Sequence, residues 1–127
     1  MLKKYLFLSF VVLFIGCASK TPVKTSSATV IFKTPSMKFY DQGFVNKYKD
    51  YIALNILNLG KSVLYLEIYE NRVCQSTFRC IPSSEFNTKY LSATYKDDFL
   101  YKLFLRKNIY HKDKKEGIFI KVISDEI

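Results

Sequence analysis

Tryptophan is absent from this 127-residue chain, and histidine occurs once, at His111. A lone histidine leaves little from which to build a base-activated nucleophile or a histidine-rich metal site. Glycine is scarce: Gly43, Gly60 and Gly117 stand singly at turn-like positions, so no glycine-rich phosphate loop is present. Acidic side chains are the minority charge, 11 against 20 Lys and Arg, for a formal net charge of +9. Asp97 and Asp98 are adjacent. Neighbours in sequence do not share a helix face, so they read as a helix cap rather than a glycosidase-like pair. His111, between Tyr110 and a charged run to Glu116, reads as an exposed hairpin-loop residue. Long apolar runs are missing too. The longest mostly apolar stretch, Tyr5 to Ile15, has 11 residues, where a helix crossing a bilayer needs about 20. No catalytic set and no cofactor site emerge, and the chain is expected not to be an enzyme.

What is present begins with that short stretch. Lys3 and Lys4 precede it, and Gly16 and Cys17 follow, which is the layout of a secretory signal peptide over residues 1–16. The ending Phe14-Ile15-Gly16-Cys17 resembles the lipobox of bacterial lipoproteins. The resemblance implies a diacylglyceryl thioether on Cys17, cleavage just before it, and fatty acylation (palmitate or its kin) of the new amine. Two or three acyl chains anchor stably, because each buried CH₂ contributes about 0.8 kcal/mol. Ser19 occupies the position where many inner-membrane lipoproteins carry Asp. The resemblance therefore implies the outer membrane, with the body facing the periplasm or the cell surface.

Cleavage after Gly16 takes 16 of the 127 residues and leaves 111, enough for one domain with a real core. Four of the 21 aromatic residues lie in the signal, so 17 remain, a density that argues for a packed body. Losing Lys3 and Lys4 lowers the formal charge from +9 to +7. The remaining cations are scattered, as on a solvated surface, and could also lean on anionic head groups. Nucleic acid is not an expected partner of an exported lipoprotein. Once Cys17 is acylated, Cys74 and Cys80 are left. In an oxidising compartment such a pair is most simply a disulfide, contributing about 2–2.5 kcal/mol. Two free thiols are the alternative. The spacing fits neither a redox Cys-x-x-Cys nor a zinc site, so no metal is expected.

Residues 17–28 are polar and small and read as a flexible tether; residues 29–127 form the expected domain. Thr29 to Thr34 is a candidate first strand, ended by Pro35. Asp41-Gln42-Gly43 carries turn chemistry and is expected to split Met37 to Tyr48 into two short aromatic strands. The stripe Phe39, Tyr40, Phe44 and Tyr48 suits either core packing or a sugar-binding face. Tyr51–Leu59 and Ser62–Glu70 form a hairpin around Gly60-Lys61, and a phase slip near Ile56 suggests a bulge. Leu64, Leu66 and Ile68 alternate with Tyr65, Glu67 and Tyr69, so the latter three are the candidate interaction face of a half-wet sheet. Pro82 to Leu91 holds a short helix. Phe99 to Leu105 fits a helix with Arg106-Lys107 at its C-terminus, but also alternates as a strand would. Ile109-Tyr110 and Gly117–Ile123 close the domain as a hairpin.

Gly16-Cys17, the aromatic-rich strands from Thr29 to Glu70, and the stretch from Cys80 through Phe86-Asn87-Thr88-Lys89-Tyr90-Leu91 to Tyr110 resemble one known type. These are small epsilonproteobacterial membrane lipoproteins with an immunoglobulin-like body. The resemblance implies a mainly β, immunoglobulin-like antiparallel β-sandwich with one or two short helices, and carries over no functional residue besides Cys17. The expected function is non-catalytic: a lipid-anchored protein-interaction or adhesion module contacting envelope proteins, or host or matrix molecules. A structural outer-membrane or periplasmic component is the alternative, and a small envelope hydrolase comes third.

Overall fold

The computed structural model describes residues 22–76 and 78–125. Cys17, the signal peptide and the first part of the expected tether lie outside the described residues.

Ten elements follow one another: β1 (Lys24–Lys33), β2 (Lys38–Lys47), β3 (Ile52–Asn58), β4 (Lys61–Ile68), β5 (Arg72–Ser76), β6 (Arg79–Pro82), α1 (Ser83–Tyr90), α2 (Phe99–Leu105), β7 (Ile109–Asp113) and β8 (Ile118–Ser124). All strand pairs are antiparallel, and the spatial order is β6-β5-β4-β3-β2-β1-β8-β7. The mainly β body with two short helices is therefore as expected. Its strands are hydrogen-bonded as one series of eight, and the closing hairpin β7–β8 attaches beside β1. This makes β1 an interior strand.

One face of the sheet is apolar over its centre. Ala28, Val30 and Phe32 of β1 are completely buried, as are Leu54 and Ile56 of β3, Leu66 and Ile68 of β4, and Ile120 of β8. The helices close this face with Phe86, Leu100, Leu103 and Phe104, and all join a single cluster. Each such side chain contributes about 1.5–3 kcal/mol by leaving water. α1 rests on β5 and β6, whereas α2 touches β3 and β7, which stand four places apart in the sheet. The helical period decides the Phe99–Leu105 ambiguity. Leu100, Leu103 and Phe104 share one helical face and are buried, while Leu105, which a strand would have turned inward with Leu103, is exposed.

Three local readings change. The first strand begins at Lys24 rather than Thr29, so five residues assigned to the tether are sheet. Lys24 to Ser27 pair with β2 only, because the register with β8 starts at Ala28. Small polar side chains suit that projecting, wet end and mimic a linker. Second, β2 runs unbroken through Asp41-Gln42-Gly43, which is held from both sides by β1 and β3. Glycine stands there for a packing reason: a Cβ on Gly43 would come within 2.5 Å of the Asn55 carbonyl oxygen. This close approach adjoins the register shift at Ile56/Leu57, the expected bulge. Third, the β3–β4 turn is centred on Leu59-Gly60, with φ of 52° and 79°. Two positive φ values in a two-residue loop match the handedness of the hairpin, but leucine adopts them at a cost.

Two substitutions test these assignments by denaturant unfolding. Gly43→Ala is expected to lose about 1–3 kcal/mol of stability by forcing β3 away. Leu59→Asn, at a side chain 99% exposed, is expected to gain about 1 kcal/mol, since asparagine tolerates the left-handed region.

Candidate functional site

The register sorts the two ends of the sheet. Lys24, Lys47, Ile52 and Ile68 share one end with the Tyr69–Arg72 turn and the start of α1; the Leu59-Gly60 turn lies at the other. Chemically rich side chains gather at the first end.

Across the outer face of the sheet the side chains stand in rows. Phe44, Asn55 and Tyr65 are abreast, and Asn46, Ala53, Glu67, Cys74 and Cys80 form the next row. At the end itself, Tyr48 and Tyr51 stack with ring centres 4.5 Å apart, and Tyr51 stacks on Tyr69 at 4.9 Å. The Arg72 guanidinium caps the pile, 3.7 Å from the Tyr69 ring centre. Cation–π stacking of this kind orients the arginine and lowers the entropy it loses on meeting a partner. The three residues singled out by alternation do share this face, but unequally. Tyr65 is 36% exposed and Tyr69 half-buried, while Glu67, expected in solvent, is only 8% exposed. Its opposite neighbour is small Ala53, and the Tyr51 and Tyr65 rings are near enough to feel its charge. Burial, then Tyr48 and Glu67, push the Tyr51 hydroxyl up to about 12. Burial and Glu67 raise that of Tyr65. Both phenols are therefore hydrogen-bond donors at physiological pH.

Beside the stack opens a cleft of about 1050 Å³. Tyr51, Tyr69 and Tyr101 line it, with Asn71, Arg72 and Ser83. The Ser83 hydroxyl is buried and has no hydrogen-bond partner among the described residues, although its backbone N–H donates to the Asn71 carbonyl. Lys49, Lys96, Asp50, Glu70, Asp97 and Asp98 also border the cleft, so it carries both signs of charge. Asp98 pairs with Lys102 at 3.0 Å. An aromatic wall with a few convergent polar groups is what a recognition site needs. Sequence alternation pointed to Tyr69 and the aromatic stripe to Tyr48, but neither pointed to Tyr51, Tyr101 or Ser83.

The histidine is placed differently from its expected exposed loop. His111 lies on the inner face of β7, half-buried, against the rings of Tyr95 and Phe99 at 5.5 and 4.8 Å. The Tyr95 hydroxyl donates to Asp113 Oδ2 at 2.6 Å and lies 2.9 Å from His111 Nε2. Because the phenolic proton goes to the carboxylate, Nε2 carries its own hydrogen and donates to the phenol oxygen. Burial lowers the imidazole pKa, with Asp113 raising it and Arg106 lowering it. Burial and the Asp113 bond raise the phenol. The Tyr95 bond and the Glu116 backbone N–H lower Asp113. A proton held this firmly locks the segment before α2 onto the β7–β8 hairpin; it is not poised for transfer.

Cys74 and Cys80 face each other across β5 and β6 and are joined as a disulfide. Among the described residues, no group of three His, Cys, Asp or Glu could hold a metal, and no helix is long and apolar enough to cross a membrane.

Tyr95→Phe is expected to cost about 1–2 kcal/mol at neutral pH in denaturant unfolding. Asp113 is depressed below 3.8, so its share of stability is present above that value and lost as pH falls through the lower folded value. The gap between wild type and variant should accordingly narrow below pH 3.8. His111, depressed below 6.5, weakens both proteins as pH falls through that value, because the unfolded chain takes up the proton first.

Compared with known proteins, the chain matches no family model, no curated protein and no solved structure.

Proposed function

We propose that the protein is a non-catalytic interaction module of the cell envelope, anchored by lipid on Cys17 and recognising its partner through the tyrosine–arginine end of the sheet. The observation that carries the recognition half is the Tyr48–Tyr51–Tyr69–Arg72 stack beside the open cleft. Tyrosine and arginine are the residues that most often dominate interface energetics, because they bring large contact area and directional hydrogen bonds at low entropic cost. The partner is an envelope protein, or a host or matrix molecule if the body faces outward. The anchoring half rests on the Gly16-Cys17 ending behind a short apolar segment. A structural role in envelope assembly is the second reading, favoured by the locked Tyr95–His111–Asp113 clamp and the disulfide.

Cys17→Ala is expected to abolish labelling by a fatty-acid probe in growing cells and to leave uncleaved precursor; labelling that persists removes the anchor. A photo-crosslinker at Tyr65 should capture a defined partner in living cells. Alanine at Tyr69 and Arg72 together should reduce that capture at least about tenfold, as expected when interface hot spots are truncated. Undiminished capture removes the stack from the recognition surface.

A further inference from the structure

The inner face of the sheet is left uncovered at the end where the N-terminal segment enters. Beyond the last turn of α2, between β1, β2 and the β7–β8 hairpin, lies a groove of about 630 Å³. Its floor is apolar, formed by Ala28, Val45, Ile109 and Val122. Five cations border it: Lys24, Lys47, Arg106 and Lys107, with Lys121 on the opposite, outer phase of β8, its Nζ 5.8 Å from the Tyr110 ring centre. No aspartate or glutamate is among its lining residues, and among the described residues none of these five cations is paired with a carboxylate. Lys47 donates to the Leu105 carbonyl, and Asp125, at the end of β8, is engaged by Ser27. Burial, then the neighbouring Lys24 charge, lower the Lys47 pKa, so these two cations repel each other as they stand. Tyr110 and Ile123 border the groove at this end of the sheet and present large exposed side chains on the outward phase of β7 and β8.

We propose that this groove docks onto the anionic phospholipid head groups of the bilayer. Clustered cations answer phosphate, and the exposed tyrosine and isoleucine at the groove's rim answer the glycerol and acyl boundary, which a free phosphate does not possess. Position agrees. Lys24 lies seven residues after Cys17, a span of at most about 25 Å when stretched. The placement rests on the anchoring reading; the charge and the apolar floor do not.

The chain has no tryptophan, so a single introduced indole reports its own surroundings. Tyr110→Trp places one at the groove's rim, and Leu59→Trp places one at the opposite end of the sheet; both positions are exposed. The acylated full chain is mixed with vesicles of brominated phosphatidylcholine, with or without phosphatidylglycerol. Tyr110→Trp is expected to lose most of its emission only when phosphatidylglycerol is present, and to regain it in high salt. Leu59→Trp should stay bright in both. Lys24→Glu with Lys107→Glu in the Tyr110→Trp background should remove the quenching. Absence of phosphatidylglycerol-dependent quenching at Tyr110→Trp, or stronger quenching at Leu59→Trp, overturns the proposal. Fatty-acid labelling of the same preparations separates the two ideas: an acylated chain without quenching refutes docking alone, and quenching without acylation refutes the anchor alone.

Discussion

A sheet eight strands wide has one apolar face to hide, and among the described residues two helices of eight and seven residues are what hides it. Most other features follow from that shortage of cover. The helices must place bulky side chains efficiently, and Phe86, Leu100, Leu103 and Phe104 do so at helical spacing over different parts of the face. They must also be fixed in position, because helices this short are not stable alone. The Tyr95–His111–Asp113 bonds fasten the approach to α2 onto β7, and Asn87 of α1 donates to the Lys96 carbonyl at 2.8 Å. Where the cover runs out, at the end holding Lys24 and Lys47, the inner face grades from Val45 and Ala28 into lysine and arginine. The buried core thus ends in a charged, wet rim, which also discourages self-association.

Sequence periodicity carried the parts of the fold that rest on local chemistry. The clean alternation from Ser62 to Glu70 located β4 and its buried residues, and the phase slip at Ile56 located the bulge. The pairing of Cys74 with Cys80 was readable because few cysteines compete. Readings failed where tertiary neighbours overrule local preference. Asp41-Gln42-Gly43 has turn chemistry, yet strands on both sides hold it extended. Lys24 to Ser27 look like linker because one of their flanks is empty. Glu67 follows the outward phase, yet small Ala53 opposite and the tyrosine rings above remove it from water. The Tyr95 clamp spans 16 and 18 residues in sequence, and the groove cations come from four separate segments. No pattern within a single window encodes either.

Both chemically distinctive surfaces occupy the same end of the molecule. The tyrosine stack lies on the outer side of the sheet and the cationic groove on the inner side, with the projecting residues of β1 near both. An orientation that presses one against a bilayer leaves the other near the interfacial region, where tyrosine is at home. The opposite end carries the turn around Leu59 and a second lysine group, Lys33, Lys112 and Lys114, which Asp113 interrupts.

The interior place of β1 has a mechanical consequence. A pull applied to the residues before Lys24 is delivered along a strand that pairs at ten positions with β2 and at six with β8. Rupture requires sliding both ladders at once, whereas an edge strand would peel one bond at a time. Since forced extension is governed by the unfolding rate, a body drawn by its leading segment should yield slowly, with load shared across the middle of the fabric rather than concentrated at its hem.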